Sequence, residues 1–262
     1  MTGLRAVVTG VSGGIGGRIV ARLEPAGYAV VNIDRAAPSD ASVRTVLADL
    51  AEAPAIDRAF AGVDAAFDCA PPDLLVCCAS IARAAHILDQ PASDIAAMVG
   101  VNVLGVALTL REAARRMRTG GGGSIVVITS VAAEQGWAGE AIYGATKAAQ
   151  KGLVQGFAVD LAPFGITVNA VGPGIVVAEG AGMSTTRGDP AVLRHDLERS
   201  ATGRFTTVDE VADAVLFLAR ARGLTGQTLY VDNGHLAAGL TWFGDRRDAL
   251  AGARSDPGEQ TA

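Results

Sequence analysis

The chain has 262 residues, half of them hydrophobic and only 5% aromatic, which is typical of closely packed helices on a Val/Ile-rich parallel sheet. Its formal net charge of −5 argues against a nucleic-acid-binding surface. The three cysteines are too clustered for a disulfide framework, and the three histidines lack metal-ligand spacing. Neither a signal peptide nor a run of roughly 18 to 20 apolar residues is visible. We therefore expect a reduced, metal-free cytoplasmic protein without nucleic-acid or membrane partners.

A glycine-rich turn connects the first predicted strand, Leu4 to Thr9, to the first predicted helix, Arg18 to Leu23. Glycine lets backbone amides approach a pyrophosphate, and the helix N-terminus adds unpaired N–H groups and the positive end of a dipole. Strand, turn and helix in this order are typical of a dinucleotide-binding unit. The predicted cofactor contacts in the turn are Gly10, Ser12, Gly13, Gly14, Ile15 and Gly16.

An acidic residue, Asp34, follows the second predicted strand, Tyr28 to Ile33. A carboxylate there accepts both ribose hydroxyls of an adenosine and repels a 2′-phosphate. Gly13 also provides no side chain to hold such a phosphate, and Arg35 is the one feature that points the other way. We therefore predict NAD in preference to NADP, with Asp34 and Arg35 beside the ribose.

Two further predicted strands contribute cofactor contacts. The third, Ser42 to Leu47, leads to Asp49, which accepts from the adenine amino group or is a solvated loop acid or helix cap. A helix is predicted over 55–67, and the fourth strand covers Leu74 to Cys78. We interpret its two cysteines as small buried hydrophobic residues. The predicted contacts after these strands are Asp49, Leu50, Cys78, Ala79 and Ser80.

The chemistry is expected around Tyr143 and Lys147, which stand four residues apart and therefore share one face of a helix. A cation beside a phenol stabilises the phenolate and lowers the tyrosine pKa from its usual value of about 10. Such a tyrosine exchanges a proton with an alcohol or carbonyl. Ser130 ends an apolar run, Ser124 to Ser130, that predicts a buried strand with the hydroxyl at its ligand-binding carboxyl end.

The remaining pattern predicts one α/β domain over residues 1–243. A long helix over Ser93 to Met117 contains Asn102, which suggests a bend or an inward polar contact. Residues 175–203 are interpreted as a mobile substrate lid and 244–262 as a flexible polar tail. The last predicted elements are strand Gly165 to Val171, helix Val208 to Ala221 and strand Gln227 to Val231. Alternating strands and helices predict a Rossmann-type, doubly wound, parallel seven-stranded sheet with helices on both faces, a three-layer α/β/α architecture.

In their order and spacing these motifs resemble the single-domain branch of the short-chain dehydrogenase/reductase family. The likeness extends from about Leu4 to His235, roughly nine-tenths of the chain. The matching positions are Thr9-Gly10-x-x-x-Gly14-x-Gly16, Asp34, Asn102, Ser130, Tyr143 and Lys147, Asn169, Pro173-Gly174, and Leu224-Thr-Gly-Gln-Thr-Leu before Asp232.

The resemblance implies a hydride transfer between a nicotinamide and an alcohol or ketone. Tyr143 would be the general acid/base, and Lys147 would bind the nicotinamide ribose and depress the tyrosine pKa. Ser130 would hold the reacting oxygen, while Asn102 would position a water that relays protons through Lys147. Pro173, Gly174 and Val176 would contact the cofactor. Family members are commonly tetramers, so a homotetramer, or a homodimer, is expected.

Two positions depart from the family pattern. Cys77-Cys78-Ala79-Ser80 replaces the usual Asn-Asn-Ala-Gly, and Ala178 stands where a threonine often contacts the nicotinamide carboxamide.

Arg83 and His86 would meet an acidic substrate or form a solvated rim. The expected substrate pocket is mixed, with an aromatic wall suited to a cyclic or medium-sized secondary alcohol or ketone. Its predicted residues are Ala132, Gln135, Trp137, Val176, Glu179 and Met183.

Two other functions use parts of the same pattern. A non-catalytic nucleotide-binding regulator or scaffold would explain the departures, but it would not need the intact Asn102, Ser130, Tyr143 and Lys147. An epimerase or dehydratase acting on a nucleotide sugar would use the same tyrosine and lysine. Those relatives usually carry a longer C-terminal substrate domain, for which this chain has no room.

Overall fold

A computed structural model describes residues 3–40, 42–176, 194 and 196–238. Its seven strands form one parallel sheet in the order β3-β2-β1-β4-β5-β6-β7. The predicted doubly wound fold is therefore confirmed. The strands are β1 (Leu4–Thr9), β2 (Tyr28–Asp34), β3 (Arg44–Leu47), β4 (Leu74–Cys77), β5 (Gly123–Ile128), β6 (Ile166–Pro173) and β7 (Thr228–Val231).

Helices cover both faces of this sheet. The described helices are α1 (Gly14–Leu23), α2 (Ala53–Ala66), α3 (Ala92–Val99), α4 (Val106–Thr119), α5 (Ala141–Leu161), α6 (Val208–Arg220) and the short α7 (His235–Ala238). One core joins the sheet to α2, α4 and α5, around Phe60, Leu110 and Val154. A second core joins the other face to α1 and α6, around Ile19 and Val215. The sheet with one layer of helices packed on each face forms the predicted three-layer α/β/α architecture.

The strand order places the candidate site at the carboxyl ends of the central strands. β1 and β4 are neighbours, but the chain leaves β1 towards β2 and leaves β4 towards β5. A crevice forms at such a switch point, outside the carboxyl ends of the strands. The central strands β4, β5 and β6 are buried along their whole length because helices cover both faces.

The predicted long helix is interrupted. Residues Gly100–Gly105 form a π-helical segment between α3 and α4, and Asn102 lies inside it, fully buried. The inward polar contact expected of this asparagine is therefore present. The continuous helical stretch Ala92–Thr119 is long and apolar enough by composition to cross a membrane. In this fold its buried side chains, including Met98, Leu110 and Met117, pack in the interior.

Some predicted segments fall outside the described residues. Most of the predicted lid, 177–193, and the tail 244–262 belong to them, as do Ala178, Glu179 and Met183. The other differences are small. β5 ends at Ile128, so Ser130 follows the strand by two residues, and β3 begins two residues later than predicted.

Candidate active site

The glycine-rich turn after β1 requires glycine at two positions. Gly10 has a φ of +81°, and a Cβ there would lie 2.7 Å from the backbone of Ala79. A Cβ on Gly16 would lie 2.2 Å from the carbonyl oxygen of Gly10. The turn therefore lies in close contact with both α1 and the end of β4. The N-terminus of α1 faces a cavity. The first amides of a helix have no intrahelical acceptor, so they can bind an anionic group there.

Replacing Gly16 by alanine is expected to lower the free energy of unfolding by about 1–3 kcal/mol, because the new methyl overlaps backbone that cannot rotate away. NADH affinity should fall at least tenfold with it. Gly17→Ala is the matched control, since its Cβ meets only ordinary contact at 3.5 Å. Alanine there should raise stability by roughly 0.5–1 kcal/mol. Urea unfolding and NADH titration of both variants check this, and equal behaviour of the two would contradict it.

Asp34 ends β2 at the cavity wall and is 9% exposed. One carboxylate oxygen accepts from the amide and hydroxyl of Ser12 at 3.0 and 2.8 Å. The other accepts from the amides of Arg35 and Ala36 at 2.7 and 3.3 Å. The carboxylate therefore ties the glycine-rich turn to the end of β2, while the Arg35 side chain is exposed beside it.

The chain after β4 forms the adjacent part of the wall. The hydroxyl of Thr9 accepts from the amides of Cys78 and Ala79, both at 3.1 Å. Burial raises the pKa of the Cys78 thiol to about 12, so this wall position is uncharged at neutral pH. Cys77 is buried, as interpreted from the sequence, whereas Cys78 is half-buried because it lines the cavity.

The side chain of Asn102 binds the segment that follows β4 and is not part of the cavity wall. Its side chain accepts from the amide of Ile81 at 2.9 Å and from the hydroxyl of Ser80 at 3.1 Å. Its amide nitrogen donates to the carbonyl of Ile81 at 2.8 Å and to the hydroxyl of Thr146 at 3.1 Å. These bonds fix the segment after β4 against α5.

Tyr143 and Lys147 lie on α5 as predicted, with the Lys147 ammonium nitrogen 5.5 Å from the centre of the Tyr143 ring. Lys147 is only 2% exposed. Its Nζ donates to the carbonyl of Ile128 at 2.9 Å and to Oε1 of Gln150 at 3.3 Å. Burial lowers the pKa of Lys147 to about 8.

Ser130 lies opposite, in an extended conformation between β5 and a short 3-10 turn. Its Oγ accepts from the amide of Ala132 at 3.1 Å. The hydroxyl is thereby oriented by the backbone, and its own proton can be donated to a ligand.

Most predicted site residues line one cavity of about 360 Å³. The predicted residues in its wall are Gly10, Ser12, Gly13, Gly14, Ile15, Gly16, Asp34, Arg35, Asp49, Leu50, Cys78, Ala79, Ser80, Ser130, Ala132, Trp137, Tyr143, Lys147, Pro173, Gly174 and Val176. Those not predicted include Ala48, Ile81, Val101, Thr129, Val131, Glu140 and Ile175. Apart from Val101, which lies in the π-helical segment, they follow strand ends or precede α5, so knowledge of the strand order would have found several of them.

Two predicted pocket positions behave differently. The amide nitrogen of Gln135 lies 2.6 Å from Nε2 of His235, outside the cavity wall. The His235 ring stacks on Trp137 at 5.2 Å. Gln135 is therefore connected to Trp137 through His235 and does not itself line the cavity. Arg83 and His86 are exposed and also absent from the wall, as a solvated rim would be.

The cavity fits a nicotinamide dinucleotide. The turn has no Cβ atoms at its two closest approaches, the N-terminus of α1 faces a pyrophosphate position, and Asp34 lies at the end of β2 for a ribose. Ser130, Tyr143 and Lys147 lie in the same cavity. Their hydroxyl, phenol and ammonium groups suit a reaction in which an oxygen gains or loses a proton.

Comparison with known proteins finds reductases and a dehydrogenase among the similar chains. Residues 10–235 match the family model described as Enoyl-(Acyl carrier protein) reductase. L-xylulose reductase from Bos taurus is 36% identical over 247 residues, 90% of this chain and 98% of the relative. Carbonyl reductase (NADPH) 2 from Sus scrofa is 34% identical over the same shares of both chains. A gluconate 5-dehydrogenase from Burkholderia cenocepacia, solved with NADP and tartrate, has a TM-score of 0.84 and 32% identity, covering 91% of this chain and 97% of its own.

The fold, the cavity and these relatives define an NAD(P)-dependent oxidoreductase. The chain belongs to the short-chain dehydrogenase/reductase family.

Proposed function

We propose that the protein interconverts a secondary alcohol and a ketone, with Tyr143 as the general acid/base. The observation that carries this proposal is the shared cavity, in which Ser130, Tyr143 and Lys147 face the same space as the glycine-rich turn and Asp34. The dinucleotide, when bound, supplies or accepts the hydride.

The protein's own residues handle the oxygen and its proton. The backbone-oriented hydroxyl of Ser130 donates a hydrogen bond to the reacting oxygen. Tyr143 gives its phenolic proton to that oxygen on reduction and removes it on oxidation. The Lys147 ammonium favours the charged form of the phenol and binds the ribose hydroxyls of the cofactor. Walls of the cavity hold the reactants in place, which lowers the entropic part of the barrier.

The substrate end of the cavity is mainly apolar with a few polar groups. Ala132, Trp137, Ile175 and Val176 form its apolar wall, and Glu140 adds a carboxylate. This lining suits a cyclic or medium-sized secondary alcohol or ketone. The names of the relatives, which include a xylulose reductase, a carbonyl reductase and a gluconate dehydrogenase, add ketoses and polyols to the candidates.

The test is a substrate panel assayed with both nicotinamide cofactors in both directions. The panel contains cyclic ketones, linear ketones, ketoses and the matching alcohols, and cofactor absorbance reports turnover. Turnover of at least one secondary alcohol or ketone is expected. Tight cofactor binding without turnover anywhere on the panel would favour the non-catalytic nucleotide-binding alternative.

NAD is proposed as the preferred cofactor because Asp34 repels a 2′-phosphate at the end of β2. Two of the relatives are an NADPH carbonyl reductase and a dehydrogenase solved with NADP. The proposed preference for NAD is therefore argued from the residues of this chain and not from its relatives. Asp34→Ser should weaken NADH at least tenfold, by loss of a charged hydrogen bond to the ribose, and should tighten NADPH.

Arg35→Ala is the matched control for that variant. Because Arg35 is exposed beside the cavity, its loss should weaken NADPH and leave NADH within about twofold. Tryptophan fluorescence titration with both cofactors measures all four affinities. A wild-type protein that binds NADPH more tightly than NADH would contradict the proposal.

A further inference from the structure

Gln150 is a fully buried polar residue that the sequence pattern did not single out. It is 1% exposed and follows Lys147 by three residues on α5, so the two side chains share one face of the helix. Its Oε1 accepts from Nζ of Lys147 at 3.3 Å, and its Nε2 donates to the backbone carbonyl of Asn102 at 2.8 Å. A single amide thus joins the ammonium group to the π-helical segment.

The orientation of this amide is unambiguous. A backbone carbonyl can only accept a hydrogen bond and an ammonium group can only donate, so the nitrogen must face Asn102 and the oxygen must face Lys147. Asn102 is itself immobilised by its bonds to Ile81 and Thr146. Its π-helical position orients its carbonyl towards α5, where Gln150 meets it. The bridge therefore has a fixed anchor at one end and the active-site cation at the other.

We propose that Gln150 is the positioning residue for Lys147, and that its amide occupies the place where the family resemblance expects a water held by Asn102. This inference rests on the proposed function. A water both donates and accepts and can pass a proton along, whereas each end of this amide has one fixed role. The bridge consequently holds the ammonium in place but does not relay protons towards the π-helical segment. Protons exchanged by Tyr143 and Lys147 leave through the cavity instead.

The surroundings of Lys147 make its dependence on Gln150 strong. Among the described residues, the titratable groups that face it are Tyr143 on its own helix and the neutral thiol of Cys78 after β4. In the described part of the chain its hydrogen-bond acceptors are the Ile128 carbonyl and the amide oxygen of Gln150. Loss of the amide oxygen removes one of these two acceptors from a buried cation, which disfavours the protonated form.

The chain allows a direct measurement because it contains only two lysines, Lys147 and Lys151. Carbon-13 labelling of lysine, with Lys151→Arg to assign the signals, follows the titration of Lys147 in the cofactor-free protein. Gln150→Leu keeps the volume but provides no acceptor and excludes water. Gln150→Ala opens a space between the Asn102 carbonyl and the ammonium, and two such polar partners can hold a water.

Gln150→Leu should lower the titration midpoint of Lys147 by about one pH unit or more and reduce kcat about tenfold or more. Gln150→Ala should keep kcat within about threefold of wild type, because an entering water restores the bridge.

A packing role alone predicts instead that leucine, which fills the volume of the glutamine, lowers kcat less than alanine does. That ranking, or an unchanged Lys147 midpoint in Gln150→Leu, would overturn the proposal. The lysine titration needs no turnover. It therefore tests Gln150 even if the substrate panel shows no activity, in which case the proposed function fails separately.

Discussion

Replacing Tyr143 by phenylalanine is expected to lower kcat by about 10²- to 10⁴-fold, the usual contribution of a positioned proton donor and acceptor. The substitution removes only the hydroxyl. The ring keeps its place on α5 beside Lys147, so the dissociation constant for the cofactor should stay within about threefold. Steady-state kinetics on the best panel substrate, with a separate cofactor titration, distinguish loss of chemistry from loss of binding.

Tyr230→Phe is the matched control for this variant. The Tyr230 hydroxyl donates to Glu134 and lies outside the cavity wall, and burial together with that carboxylate raises its pKa. Its removal should leave kcat within about twofold, because no reacting oxygen contacts it. A loss smaller than tenfold in Tyr143→Phe would mean that another group transfers the proton.

Replacing Lys147 by methionine is expected to reduce kcat/KM by at least about 10²-fold, since the variant loses both the cation beside Tyr143 and the proposed ribose contact. Methionine matches the length of the lysine stem and fills its buried site. The folded structure should therefore persist, which the same variant can demonstrate by its unfolding curve.

The same substitution should change how stability depends on pH. Burial lowers the pKa of Lys147 to about 8 from its ordinary 10.5. Between these two values the unfolded chain holds a proton that the folded protein has released, so wild-type stability rises with pH across this window. Below pH 8 both states are protonated, and burial of the cation costs roughly 3 kcal/mol. That cost disappears progressively towards pH 10.5.

The test compares urea unfolding of wild type and Lys147→Met at several pH values from 7 to 10.5, without cofactor. The difference in the free energy of unfolding should move in favour of wild type as pH rises, by up to about 3 kcal/mol. Lys151→Met is the control, because that lysine is partly exposed and pairs with Glu134. A difference that stays constant with pH would show that the pKa of Lys147 is not lowered in the folded state.

Local patterns in the sequence were sufficient for most of the fold. Continuous apolar runs predicted central strands such as β4 and β5, because a parallel sheet covered on both faces buries every side chain of its central strands. The runs that predicted the edge strands β3 and β7 contain polar residues, and these two strands are partly exposed. The glycine-rich turn was predictable for a similar reason, since Gly10 and Gly16 occupy places where no side chain fits. The four-residue spacing of Tyr143 and Lys147 predicted a shared helix face, although that spacing is common in helices and pointed to a site only together with the motifs around it.

Contacts between distant segments were not predictable in this way. Gln135 was expected in the substrate pocket, but it packs behind Trp137 through His235, one hundred residues along the chain. The oligomeric state and the preference for NAD stay predictions, because each depends on a partner outside the chain. The identity of the substrate likewise depends on groups that meet only when the pocket forms.

The sequence by itself determined the individual strands, the dinucleotide-binding turn and the helical spacing of Tyr143 and Lys147, because each depends on residues close together in the chain. Only the tertiary structure decided that Asn102 lies in a π-helical segment and that Gln150, 48 residues later, bridges it to Lys147. The physical reason is burial. A polar side chain removed from water must find its partners wherever packing brings them, and periodicity along the chain carries no information about which segments will meet.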